Sequence, residues 1–333
     1  MAEAKRLLIL TRDRANAAFR QRIEPYLASL AARGIACEVV EVARCPVTRR
    51  GQMAQARAFD GVLVHRKTLT FWDARALRGA RRLVYDFDDA VMVQARAPDR
   101  PHAGRLRRFR RTMARADLVI AGSRILAEHA YAAGARRVAI VPTGLDASRL
   151  RPKATWAAAP GRTRLVWIGS ASTLRQLEPF RPMFEALGRA VPGLVLRVIA
   201  DADLRVDGLE VENVRWRLED EARLLAESDV GIAPLPDTPF TRGKCGFKVL
   251  QYMAAGLPVV ASPVGVNADY VRHGETGLWA RSAEEWVEAI GRLAADAALR
   301  ERMGREGRRR IEREFDFAVL APGVCDAVAQ TLA

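Results

Sequence analysis

Residues 229–277 read DVGIAPLPDTPFTRGKCGFKVLQYMAAGLPVVASPVGVNADYVRHGETG. The apolar run 230–233 has the length and composition of a buried strand, and it stops at Pro234. A loop carrying Arg242, Gly243, Lys244 and Gly246 follows, and a short helix is expected to open near Phe247. Gly256 closes that helix and Pro258 begins the next strand, 258–261. Strand, loop, helix and strand in this order make one unit of a parallel α/β sheet, in which ligands bind outside the carboxyl ends of the strands. The loop sits at such an end. It combines glycines that let a ligand approach, free amides at a helix start and two lysines, Lys244 and Lys248, four positions apart. That is the chemistry of an anion site, and a nucleoside diphosphate is the expected occupant.

The same alternation extends outward from this segment. Short apolar runs at 6–11, 37–42, 61–65, 82–86, 117–121 and 138–141 read as parallel strands, and so do 164–168, 195–199 and 211–216. Between the first two, Ile23, Tyr26, Leu27, Leu30 and Ala31 recur at helical spacing, with Gly34 closing the end. Further helices are expected at 106–116, 124–133, 176–190, 220–227, 247–255, 283–294 and 297–313. Periodicity is lost from Pro142 to Pro160, a stretch with three prolines and the composition of a linker. The pattern predicts α/β architecture in two doubly wound, Rossmann-like domains, 1–145 and 161–316, joined by a linker at 146–160.

Composition agrees with this class. A chain of 333 residues can build two substantial cores, and with 50% hydrophobic and 28% charged residues it is neither disordered nor fibrous. The longest weakly polar stretch, 252–266, contains two prolines and two glycines and falls short of the roughly 20 apolar residues of a membrane helix. The run 7–10 is too short for a signal-peptide core, so a cytoplasmic location is expected. Cys37, Cys45, Cys245 and Cys325 are scattered and form no CxxC pair, which suggests reduced thiols and no zinc site. The net charge of +15 favours anionic partners. Nucleic acid is not expected among them, because no aromatic platform or nucleic-acid motif accompanies the charge.

Several motifs in the same order resemble a known family. LQYMAAGLPVVASPVGV (250–266), followed by VRHGETG (271–277) and preceded by VPTGLD (141–146), is similar to the C-terminal signature of retaining family 4 glycosyltransferases. The resemblance is strong over 165–277 and looser before that. It implies a GT-B fold, with two Rossmann-like domains facing across a cleft and the segment 317–333 packing back on the first. It also implies an enzyme that transfers a sugar from a nucleoside diphosphate donor to an acceptor hydroxyl with retention of configuration. Neither cofactor nor metal is required, since positioning and stabilisation of the departing diphosphate can supply the catalysis. Lys248 resembles a donor-phosphate contact, with Lys244 as a second. Gln251 occupies the position of a ribose-binding glutamate, and the other glutamate of the family's pair falls on Gly243. The same motifs leave room for an epimerase or phosphorylase of this fold, or for a non-catalytic sugar-nucleotide-binding subunit.

The remaining candidates lie at other expected strand ends. Trp167 to Thr173, WIGSAST, offers Gly169, Ser170, Ser172 and Thr173 as a phosphate turn, with Arg175 supplying the positive charge that many relatives place directly after the glycine. Trp216, with Glu219 and Glu221 after it, resembles the region that receives the base. In the first domain, Tyr85-Asp86-Phe87-Asp88-Asp89 concentrates three carboxylates that must be solvated or used, with Asp89 expected as a helix cap. Asp88 falls where many relatives carry a histidine facing the donor sugar, and Asp86 is placed with the acceptor. Arg20 and Arg22, expected ahead of the first helix, and His65 at a strand end are further acceptor-site candidates. Residues 100–115 alternate arginines with Leu106, Phe109 and Met113, a basic amphipathic segment suited to anionic lipid headgroups and hence to a lipid-linked acceptor.

Overall fold

A strand in the middle of a parallel sheet must bury both faces, which calls for an unbroken apolar run. Lys5–Thr11 (β1) meets that demand, with Leu7, Leu8, Ile9 and Leu10 wholly buried. Around it the computed structural model, which describes residues 4–99, 102–159 and 161–333, places Ile35–Glu41 (β2), Gly61–His65 (β3), Leu83–Phe87 (β4), Leu118–Ala121 (β5) and Val138–Ile140 (β6). Every pairing is parallel and the order is β2-β1-β3-β4-β5-β6. The order reverses between β1 and β3, so Thr11 and His65 stand at the switch point where such sheets bind ligands.

The second sheet contains Thr163–Ile168 (β7), Leu194–Ala200 (β8), Glu210–Arg215 (β9), Val230–Ala233 (β10), Val259–Ala261 (β11) and Gly277–Trp279 (β12), again all parallel. Its order, β12-β11-β10-β7-β8-β9, is that of a Rossmann fold, with the switch between β7 and β10. Two units carry these sheets. One comprises the chain through Gly144 with Thr238–Cys245 and Phe317–Ala333; the other comprises Leu145–Asp237 and Gly246–Asp316. The helix Phe317–Leu332 therefore belongs to the first unit, where Val324, Cys325 and Val328 join a core with Leu7, Ile9 and Ile120. Gly61 lets Leu332 pack closely there: a Cβ would lie 2.3 Å from the Leu332 Cδ2 and would displace that side chain.

Some local expectations change. The helix read through Ile23 and Ala31 is broken into Ala17–Arg22, a 3₁₀ turn at Glu24–Tyr26 and Leu27–Ala32. Pro25 cannot donate the hydrogen bond that would carry a helix across this point. Arg20 and Arg22 consequently lie inside the first helix, not ahead of it. Residues 147–159 have little regular structure, yet they are pinned to the second unit. Lys153 is buried and donates to the Ser228 carbonyl at 2.6 Å and to Asp229 at 3.1 Å. Trp156 donates to the Gly256 carbonyl at 2.8 Å, and the buried Arg300 donates to the carbonyl of Trp156.

Near β3, Thr70 caps the helix Phe71–Ala76 and Asp73 closes the capping box, accepting also from Lys67 and Arg49, both at 2.9 Å. Burial alone would raise its pKa, but these hydrogen bonds and the Thr70 amide hold it well below the usual carboxylate range. A depressed native pKa contributes stability above the unfolded value of about 3.9 and loses it as pH falls below that value. Thermal unfolding followed from pH 6 to about 2.5 should therefore show a falling Tm, and Asp73→Asn, less stable at neutral pH, should flatten that slope.

Candidate functional site

The carboxyl ends of β7, β9 and β10 in the second unit gather most of the residues that the sequence assigned to a donor site. Gly246 takes φ of 64° to start the helix Phe247–Ala254, and a Cβ there would sit 2.6 Å from Val266, so only glycine makes this entry. In the first turn of that helix, Lys248 places its ammonium 4.0 Å from the centroid of the Trp167 ring on β7. One turn further, Tyr252 is buried beneath the sheet and its hydroxyl accepts from the Ile168 amide at 2.9 Å. That bond ties the helix to the end of β7. Gln251, also buried, donates through Nε2 to Glu221 at 2.8 Å. The other oxygen of Glu221 accepts from Trp216 Nε1 at 2.8 Å. Trp216 stands just past β9 and is 38% exposed, enough to present a ring face.

The WIGSAST turn is engaged differently from its expected phosphate role. Ser170 and Thr173 form a capping box for Ala171–Leu174, the Ser170 amide donates to Thr173, and Ser170 Oγ contacts Ser172 Oγ at 2.9 Å. The next amide, of Ala171, donates to Asp201, a carboxylate that would repel a phosphate. Gly169 is explained by packing, since a Cβ would meet Trp167 at 2.5 Å. Arg175 is exposed on the following 3₁₀ turn.

In the first unit the carboxylate cluster is neutralised from within. Arg22 is buried and grips Asp86 through Nη2 at 2.6 Å and Nε at 3.3 Å, while Nη1 donates to the Val141 carbonyl at 2.7 Å. Arg66, just past β3, adopts φ of 56°, the left-handed region that glycine favours. Its guanidinium pairs with Asp88 at 3.4 Å and with Asp89 at 2.5 Å. His65 accepts or donates at Nδ1 with Thr11 Oγ1 at 3.1 Å, and among the described residues its Nε2 has no hydrogen-bond partner. Burial lowers its pKa, against the pull of Asp86 and Asp88, and favours the neutral ring.

Residues 159–296 match the family Glycosyl transferases group 1. That match takes in most of the second unit. In sequence, the chain is 28% identical over 226 residues to the D-inositol 3-phosphate glycosyltransferase of Nocardia farcinica, an alignment covering 61% of this chain and 49% of that protein. The chain thus spans about half the length of the relatives it matches. Among solved structures, the sucrose-phosphate synthase of Thermosynechococcus elongatus superposes with a TM-score of 0.75 at 16% identity, covering 98% of both chains. The Anabaena protein HepE, solved with UDP and glucose, gives a TM-score of 0.73 at 17% identity, covering 98% of this chain and all of that one. These likenesses show the fold, the GT-B pairing of two Rossmann-like domains.

Within the second unit, Lys248, Phe247, Gln251, Trp216 and Gly246 are brought to one sheet end, together with Glu221, which links Trp216 to Gln251. Lys244 belongs to the first unit, where it packs over Phe240, 4.5 Å from the ring centroid, and Arg242 ends the short helix Pro239–Arg242 of the same unit. Gly243 is buried there with its Cβ position 2.6 Å from Ala90, so the glutamate that the family resemblance would place at 243 has no room.

The acceptor expectations change more. Arg22 and Asp86 are buried in an ion pair and Asp88 is buried beside Arg66, while His65 Nε2 and Asp88 Oδ1 have no hydrogen-bond partner among the described residues. Asp89 caps no helix; the next one, Ala103–Arg115, is capped by His102. Arg20 alone of that set is partly exposed. Arg66 was not singled out from sequence, and its signal, a positive φ on a non-glycine residue, exists only in the backbone.

Proposed function

We propose that the chain transfers a sugar from a nucleoside diphosphate-sugar to an acceptor hydroxyl with retention of configuration. The observation that carries this reading is the constellation at the carboxyl ends of β7 and β9, where Lys248, Gln251 and Trp216 offer a cation, a hydroxyl partner and an aromatic face to one ligand. The sequence relatives are named as glycosyltransferases or glycogen synthase, and HepE was solved with UDP, which supports a nucleotide donor. In the reaction the bond between the anomeric carbon and the diphosphate oxygen breaks, and its electron pair leaves with the nucleoside diphosphate. The acceptor oxygen bonds to the same carbon, and its proton passes to the departing diphosphate oxygen or to solvent. Lys248 neutralises the charge that grows on the departing diphosphate, the main electrostatic demand of such a step. Incubating the protein with UDP-, GDP- and ADP-sugars and polyol or sugar-phosphate acceptors should release nucleoside diphosphate with one donor. The anomeric coupling constant of the product reports retention; an inverted product refutes that part.

We further propose a lipid-linked acceptor met at the anionic inner face of a membrane. Arg107, Arg108 and Arg110 are exposed on the helix Ala103–Arg115, and beside that helix Phe71 and Trp72 are 55% and 53% exposed, with Arg50 stacked on Trp72. Arg100 lies outside the described residues. Among the described residues no helix is long and apolar enough to cross a membrane. Sedimentation with phosphatidylglycerol vesicles, absent with phosphatidylcholine alone, is the expected result; equal sedimentation with both removes the electrostatic basis.

A further inference from the structure

Position 251 poses a chemical problem that the fold solves from another element. A glutamine there has no charge, so it holds a hydroxyl less strongly than a carboxylate does. The structure puts a carboxylate directly behind it: Glu221, on the helix Leu218–Ala226, accepts from Gln251 Nε2 at 2.8 Å on one oxygen and from Trp216 Nε1 at 2.8 Å on the other. An ionised carboxylate can only accept, so the amide nitrogen of Gln251 must face Glu221 and its carbonyl oxygen must point away. Among the described residues nothing donates to that carbonyl oxygen. An acceptor fixed in this way, and polarised by the charge behind it, is complementary to hydroxyl donors.

We infer that Glu221 is a positioning residue that stands in for the carboxylate missing at 251. It orients Gln251 to accept from the ribose hydroxyls of a ribonucleoside diphosphate and holds Trp216 beside them. The inference rests on the nucleotide-donor reading above and deepens it by naming the ligand class as a ribonucleotide. It also predicts a specific interchange. In Glu221→Gln/Gln251→Glu, the new glutamine at 221 accepts from Trp216 with its oxygen and donates to the new carboxylate at 251, so every partner is satisfied. Each single change alters what position 251 presents. Glu221→Gln removes the charge, and the new glutamine can accept from Trp216 and donate to the Gln251 carbonyl oxygen, which turns the Gln251 nitrogen toward the ligand. Gln251→Glu sets two carboxylates at the separation now spanned by a hydrogen bond, and they must share a proton.

The test is calorimetric titration of UDP, GDP and ADP, and of their 2′-deoxy counterparts and dTDP, into the wild-type chain and the three variants, with circular dichroism confirming that each is folded. The wild type should prefer the ribonucleotide by about tenfold, as a site built around a hydroxyl rejects its absence. Both single variants should lose about tenfold in ribonucleotide affinity with a smaller loss for the deoxy form, and the interchange should recover to within about threefold of wild type. Gln251→Glu alone should regain affinity as pH is lowered from 8 to 6. A wild type that binds a ribonucleotide while the singles bind equally well, or while the interchange fails to recover, overturns the role of Glu221 and leaves the donor reading standing. Preference for dTDP overturns the ribose assignment. A folded wild type that binds none of these nucleotides overturns both.

Discussion

Asp86→Ala should lower the stability of the first unit by about 3 to 5 kcal/mol, the usual result of leaving one member of a buried ion pair without the other. Arg22 and Asp86 have side-chain exposures of 1% and 3%, so neither can fall back on water. Desolvation opposes charge on Arg22, and Asp86 offsets it, holding the guanidinium well above its ordinary pKa. Removing Asp86 leaves the Val141 carbonyl as its only remaining hydrogen-bond acceptor among the described residues. Because the chain has two units, the measurement is calorimetric unfolding with the transitions separated, not a single midpoint. The double variant Arg22→Met/Asp86→Leu should recover most of the loss, since apolar side chains of similar volume replace buried pairs at little cost. Failure of the double variant to recover would mean that the pair does more than satisfy itself.

Lys248→Ala should weaken binding of the nucleoside diphosphate by about 10- to 100-fold, the range expected for one charge-assisted contact to phosphate. The loss in kcat should be at least as large, because negative charge on the diphosphate increases as the bond to the sugar breaks. Trp167 stages this lysine. Its ring holds the ammonium 4.0 Å from the centroid at the end of β7 and limits the range of positions the flexible side chain explores. Lys248→Arg should recover only part of the activity, because a guanidinium stacks flat on the same ring and presents a rigid fork of donors in place of a compact point charge to the phosphate. Lys244→Ala, at a residue that packs on Phe240 in the other unit, should have the smaller effect of the two.

Most strands were legible from the sequence because parallel strands buried on both faces leave unbroken apolar runs, as in Leu7 to Leu10 and Leu194–Ala200. What escaped detection was short or polar. Gly277–Trp279 has three residues, and Pro46–Ala54 is a helix with little apolar periodicity in PVTRRGQMA. The donor constellation was legible in part, since Lys248 and Gln251 lie on one helix turn within a recognisable motif. Glu221 was seen only as a neighbour of Trp216, because the bond to Gln251 spans 30 positions. The carboxylate cluster misled for the same reason. Three acids within four positions read as solvated or catalytic, whereas their partners, Arg22 and Arg66, lie 64 and 23 positions away and can be found only from the fold.

The central claim is that the second unit binds a nucleoside diphosphate at the ends of β7 and β9. Its most direct test is thermal unfolding of the wild type and Lys248→Ala with UDP, GDP, ADP, dTDP and CDP, with inorganic phosphate as the control. A ligand that binds only the folded state raises Tm with its concentration. One diphosphate should raise the Tm of the wild type, phosphate alone should not, and Lys248→Ala should need about 10- to 100-fold more ligand for the same shift. A folded wild type whose Tm is unmoved by all five, or moved equally in Lys248→Ala, would contradict the claim.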